Sequence, residues 1–158
     1  MTGFDYQTVP PELLEHTVDK FTHFVSKVGD DYRGSVILYE SYPYGKIVQQ
    51  SCDATAYANR GTHFNCTVCL RWMGADHDEW IKQYIKDFVR DAREIEKSEL
   101  LKEGRKPTAE KGYANFHLPA EPAEKAFYDH LPRLIELKQK WDPKGIFNKW
   151  FSIPTSKQ

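Results

Sequence analysis

Between His63 and Trp72, polar residues His63, Asn65, Thr67, Cys69 and Arg71 alternate with Phe64, Cys66, Val68, Leu70 and Trp72. A strand points successive side chains to opposite faces, so this spacing predicts one surface bearing an imidazole, an amide, a hydroxyl, a thiol and a guanidinium. On that surface His63 can give or take a proton near neutral pH, and Arg71 can hold a carboxylate, enolate or phenolate oxygen. The same pattern also describes a face that is solvated or packed beneath a helix. A second set, Tyr39, Glu40, Tyr42 and Tyr44, falls at a strand end and turn. There the phenols can donate to a carbonyl and Glu40 can take a proton, or Glu40 is an exposed strand-end carboxylate. Arg71, His63, Tyr39 and Glu40 are therefore the candidate catalytic groups, with Asn65, Thr67, Cys69 and Tyr42 as candidate substrate contacts.

Other chemistries find little support. Cys66 and Cys69 form C-x-x-C, but strand positions three apart point to opposite faces, and Cys52 is the only other thiol, so no metal site is expected. No two of the nine glycines stand closer than five positions apart, so no G-x-G-x-x-G turn can be written, and Gly29 and Gly34, which are five apart, are followed by Ser35-Val36 rather than the lysine of a P-loop. The six histidines form no H-E-x-x-H, and no serine sits in a nucleophile elbow. Asn65-Cys66-Thr67 matches the glycosylation pattern, but it lies within a predicted strand and is read as chance.

The elements that must position these residues are legible from periodicity. After an arm over residues 1–10, apolar residues at Leu14, Val18, Phe21, Val25 and Val28 predict an amphipathic helix over 11–28, broken by Gly29-Asp30-Asp31. A strand over 35–40, a turn at Tyr42-Pro43-Tyr44-Gly45 and a partner strand over 46–50 follow, then the strand over 63–72. Asp76-His77-Asp78-Glu79 has the form of a capping box. It precedes a helix striped by Ile81, Tyr84, Ile85, Phe88, Val89, Ala92 and Ile95, ending before Gly104. A loop over 104–111, a helix over 121–140 broken near Pro132 and a tail over 141–158 complete the chain. The order α, β, β, β, α, loop, α predicts an α+β fold, an antiparallel sheet covered by amphipathic helices.

At 158 residues the chain is long enough for one globular domain. Twenty-two basic against 23 acidic residues leave no basic field for nucleic acid or an anionic membrane. No apolar run reaches the length of a membrane helix. The opening residues lack a secretory pattern and three cysteines cannot all pair, so a reducing, cytoplasmic setting is expected.

Three blocks, in this order, resemble the C-terminal part of berberine bridge enzyme-like FAD-linked oxidases, particularly the fungal ones. The first is Tyr39-Glu40-Ser41-Tyr42-Pro43-Tyr44-Gly45-Lys46-Ile47, followed by Ala54 to Gly61 and the strand ending in Trp72. The second is Gly112-Tyr113-Ala114-Asn115-Phe116, after which His117 and Leu118 depart from the acidic residue that the family often carries there. The third is Arg133-Leu134, Leu137-Lys138 and Trp141 to Ile153.

The resemblance implies half of a substrate domain, whose sheet floors the pocket, without the flavin-binding domain. It adds Arg60, just before the floor strand, and Tyr113 and Asn115, the segment that helps seat the flavin, to the substrate contacts. It also implies an open sheet edge, hence a homodimer or a partner chain. The resulting expectation is a stand-alone, cofactor-independent enzyme of secondary metabolism acting on a small apolar or aromatic molecule, a cyclase or isomerase that extends to a [4+2] pericyclase. The alternatives are a subunit of a split FAD-dependent oxidoreductase, with FAD supplied through a separate chain, and a non-catalytic small-molecule binding protein.

Overall fold

The computed structural model describes residues 1–107, 113–116, 122–149 and 151–155. Within these it is an α+β fold whose three-stranded antiparallel sheet has the order β1-β3-β2, with β1 at Thr2–Tyr6, β2 at Val36–Glu40 and β3 at Phe64–Cys69. The chain divides into two compact units, residues 1–42 with 63–110, and residues 43–62 with 111–158.

In the first unit, α1 (Pro11–Val28) and α2 (Asp78–Lys102) cover one face of the sheet. Pro11 opens α1, where its missing N–H costs nothing, and Gly29, at φ 59°, ends it in a conformation that side chains with a Cβ resist. The core joins Phe4, Tyr6, Cys66 and Val68 of the sheet to Leu13, Phe24 and Val28 of α1 and to Ile81, Phe88 and Ala92 of α2. Phe4 packs edge-on against Tyr39 and Phe88, with ring centroids 6.2 and 6.3 Å away.

Several elements differ from the sequence reading. The residues read as an arm contain β1, which pairs with β3 from Thr2 opposite Val68 to Tyr6 opposite Phe64. Residues 46–50 form no strand: a single 3-10 turn at Tyr44–Lys46 runs on as turns, continuing the turn that Pro43 and Gly45 favour. The strand read over 63–72 is regular only at Phe64–Cys69. In α1, Leu14 and Val18 are exposed while Leu13 and Phe24 are buried, so the buried stripe is rotated from the one the spacing suggested. The capping box is not used: His77 stands before α2 without a side-chain cap, and the Asp78 carboxylate accepts a 2.8 Å hydrogen bond from the Trp72 indole instead.

In the second unit, α3 (Ala123–Phe127), a 3-10 turn at Tyr128–His130 and α4 (Leu131–Trp141) replace the helix read over 121–140. Tyr128, at φ 43°, makes the break, and Pro132 sits harmlessly in the first turn of α4. Ala123, Leu131 and Ile135 form a small core with Phe127, Phe151 and Ile153. The Asp142 carboxylate accepts hydrogen bonds from the Ile146 and Phe147 amides at 2.8 and 3.0 Å and pairs with Lys138 at 2.5 Å, so the Asp-Pro-Lys-Gly segment is a carboxylate-nucleated turn. Gly112, His117, Leu118, Glu121 and Trp150, which figure in the sequence reading, lie outside the described residues.

Candidate functional site

The register of the sheet decides which side chains share its second face. Asp5 stands opposite Asn65, Gly3 and Leu38 opposite Thr67, Glu40 opposite Asn65, and Val36 opposite Cys69. Since side chains alternate along each strand, Asp5, Asn65, Thr67, Cys69, Val36, Leu38 and Glu40 belong to the face away from Phe4, Cys66 and Val68. His63 precedes β3 and reaches the same group: its Nε2 lies 4.0 Å from Oδ1 of Asp5.

This face is polar and largely out of water. Asp5, His63 and Asn65 are only 5%, 6% and 9% exposed, and Thr67 is buried with them. Glu40 and Leu38 are exposed at the β2 side. The Thr67 hydroxyl donates a 3.0 Å hydrogen bond to Oε2 of Glu40. Oδ1 of Asn65 is buried with no hydrogen-bond partner among the described residues. Such an acceptor costs on the order of 1–3 kcal/mol until something donates to it. The face thus offers a hydroxyl–carboxylate pair, an imidazole beside a carboxylate and an open amide oxygen, with Val36 and Leu38 supplying apolar area.

The other sequence candidates divide. Tyr39 belongs to the opposite face: it pairs with Cys66 in register, meets the rings of Phe4 and Tyr6, and shares a 2.7 Å hydrogen bond with Thr17 of α1. Burial holds its phenol far above the usual tyrosine range. Tyr42 stacks edge-on with Phe64 at 5.8 Å. Arg71 lies beyond the end of β3 and is exposed, its guanidinium stem packed on Gly34, where an added Cβ would meet Nη1 at 3.0 Å. Its backbone N–H donates to the Ser35 hydroxyl at 2.8 Å.

In the second unit Arg60 organises its own loop, donating to the Ile47 carbonyl and the Thr55 hydroxyl at 3.2 and 2.9 Å and lying over the Tyr57 ring. Tyr113 accepts a 2.9 Å hydrogen bond from the Asn115 amide and sets its ring against Tyr57 and Phe116. Cys66 and Cys69 point to opposite faces, and no group of three or more metal-type ligands occurs among the described residues.

Sequence reasoning missed Asp5. The signal was present, because Phe4 and Tyr6 alternate with Gly3 and Asp5, but five residues at a terminus are too few for period alone to separate a strand from an arm.

Residues 112–154 match the family model described as berberine and berberine like. Two FAD-linked oxidoreductases named pgmH, one from Aspergillus terreus strain NIH 2624 / FGSC A1156 and one from Aspergillus terreus, are each 28% identical to the chain over 169 residues. The alignments cover 96% of this chain but 34% and 33% of those proteins, so the chain spans about a third of the length of the relatives it matches. These matches agree with the resemblance read from the three sequence blocks: the chain is similar to part of the berberine-like FAD-linked oxidoreductases, and its described residues have the α+β architecture expected from that resemblance.

The relatives raise the question of whether these residues fit a flavin dinucleotide. The two that the resemblance assigns to the flavin, Tyr113 and Asn115, hydrogen bond to each other on a single 3-10 turn, and the glycine spacing provides no pyrophosphate turn. The chemistry that can be derived for this chain is that of its own side chains. No helix among the described residues is long and apolar enough to cross a membrane.

Proposed function

We propose that the chain supplies the substrate-facing sheet of a small-molecule enzyme, and that this face works by proton transfer and orientation rather than by redox chemistry of its own. The observation that carries this reading is the gathering of His63, Asp5, Asn65, Thr67 and Glu40 on one face of the sheet, with the imidazole and its neighbouring carboxylate buried together.

A small, largely apolar molecule bearing a hydroxyl or N–H donor would lie along Val36 and Leu38 and donate to Oδ1 of Asn65. His63 would take a proton from the carbon or oxygen that must become nucleophilic, and return it elsewhere on the same molecule. The Glu40–Thr67 pair would hold a second polar group. Orientation and one proton shuttle suffice for isomerisation or cyclisation, including a [4+2] closure of a diene unmasked by enolisation.

The test is independent of knowing the product. The purified chain is incubated in deuterated water with a panel of aromatic carbonyl compounds, and exchange at carbons next to the carbonyl is followed by mass spectrometry. Exchange above the buffer rate supports the reading; no exchange across the panel, with the protein folded, overturns it.

A second reading is favoured by the two FAD-linked relatives: the same face serves an FAD-dependent oxidoreductase assembled with a separate flavin-binding polypeptide. Native mass spectrometry with an absorption spectrum over roughly 350–500 nm distinguishes them. A colourless protein that exchanges deuterium supports the first. Flavin acquired with a second polypeptide, and required for turnover, supports the second.

A further inference from the structure

The side chain opposite Asn65 on β1 has no part in the reaction as described so far, yet its carboxylate lies beside the proton carrier. Asp5 is 5% exposed, and its Oδ1 lies 4.0 Å from Nε2 of His63, itself 6% exposed. We propose that Asp5 is the positioning residue of this site: its carboxylate holds a proton on Nε2 of His63, leaving Nδ1 as the atom that accepts a proton from the substrate. The inference rests on the reading of His63 as the proton carrier.

A neutral imidazole has one N–H and one bare nitrogen, and a negative charge beside one nitrogen favours the N–H there and disfavours the lone pair. Both groups are shielded from water, so the field that selects between the tautomers is little screened. Register fixes the relationship. Asp5 is pinned opposite Asn65, and His63 is two residues before Asn65, so a slip of β1 by one residue would turn Asp5 to the helix-covered face and abolish the arrangement. At 4.0 Å the carboxylate acts through its field and can close to a direct hydrogen bond when substrate packs the site.

The tautomer is read directly, without any substrate, from long-range proton–nitrogen correlation spectra of the full chain at neutral pH. The wild type should show His63 as a single species with the proton on Nε2; a proton on Nδ1, or an even mixture, overturns the proposal. Asp5→Ala should convert the pattern to a mixture while leaving the other histidines unchanged, and an unchanged His63 pattern overturns it. If that variant does not fold, Asp5→Asn keeps the volume and removes the charge, and the same outcomes are read from it. Should neither fold, the wild-type pattern decides by itself.

The two claims fail separately. A single Nε2–H tautomer lost in Asp5→Ala, in a protein that never exchanges deuterium, upholds the positioning role and sinks the proton-transfer reading. Exchange that needs His63 but is indifferent to Asp5, with an unaltered tautomer, does the reverse.

Discussion

The hydroxyl of Thr67, at the centre of β3, donates across the sheet to the carboxylate of Glu40 at the end of β2, 3.0 Å away. One partner is buried and the other is exposed, so the bond marks the margin where the shielded face opens to solvent. Thr67→Val keeps the shape of the side chain and removes the donor. Glu40 can take water in exchange, so the stability cost should be about 1 kcal/mol or less, measured by urea unfolding. If Glu40 helps to hold substrate, deuterium exchange should fall several-fold in this variant while the midpoint barely moves. An unchanged rate would leave the pair with a structural role alone.

Glu96, on α2, is 3% exposed and accepts backbone hydrogen bonds from Gln7 and Thr8 just after β1. Burial raises its carboxyl above the usual value of 4.5, with the two amides pulling the other way. The folded state therefore holds the proton more tightly than the unfolded state does. The resulting stabilisation is fully present below pH 4.5 and is lost as the pH rises through the raised value. Glu96→Gln keeps an acceptor for both amides but does not ionise. Its melting temperature relative to wild type should climb from acid to neutral pH and then level off; a difference independent of pH would refute the assignment.

Much of this arrangement could be read from the sequence, and the failures have physical causes. Strict alternation over residues 63–72 located β3 and its polar face, because a half-buried strand must segregate its side chains. It gave no information about register, and register is what brings Asp5 and Glu40 to Asn65. Tyr39 looked like a companion of Glu40 because they adjoin, yet adjacent strand residues face opposite ways, and Tyr39 went to the core with Thr17. The residues over 46–50 have strand-like composition, but they follow Pro43 and Gly45 and turn instead.

Tyr39→Phe tests that separation of faces. It removes the phenol that meets Thr17 at 2.7 Å, while Thr17 keeps its 2.7 Å bond to the Leu13 carbonyl. Because the aromatic ring stays, the loss should be about 0.5–1.5 kcal/mol by chemical denaturation. Deuterium exchange should not change. A large loss of exchange with little loss of stability would return Tyr39 to the reacting groups.

The three thiols should react with a disulfide reagent in an order set by burial. Cys52 is exposed, Cys69 half-buried and Cys66 buried, where desolvation pushes its thiol up to about 12. At pH 8 one thiol should modify quickly, a second slowly, and the third only in denaturant, with peptide mapping assigning Cys66 as the last. Modification of Cys66 under native conditions would mean that the helix-covered face opens far more readily than its packing implies.

His63 and Arg71 lie on the same alternation in the sequence but not in the same environment. His63 is buried beside Asp5, whereas Arg71 lies past the last residue of β3, exposed, with its stem against Gly34. A proton carrier contributes about 100-fold or more to a rate, so His63→Ala should reduce deuterium exchange to the buffer level. Arg71→Ala removes a solvated cation that can attract an anionic substrate without taking part in the proton transfer. It should weaken half-saturation several-fold at low salt, leave the maximal rate near wild type, and lose that effect as ionic strength rises. An equal fall in maximal rate for both variants would place Arg71 at the reacting atoms and require the strand to extend beyond Cys69 when substrate binds.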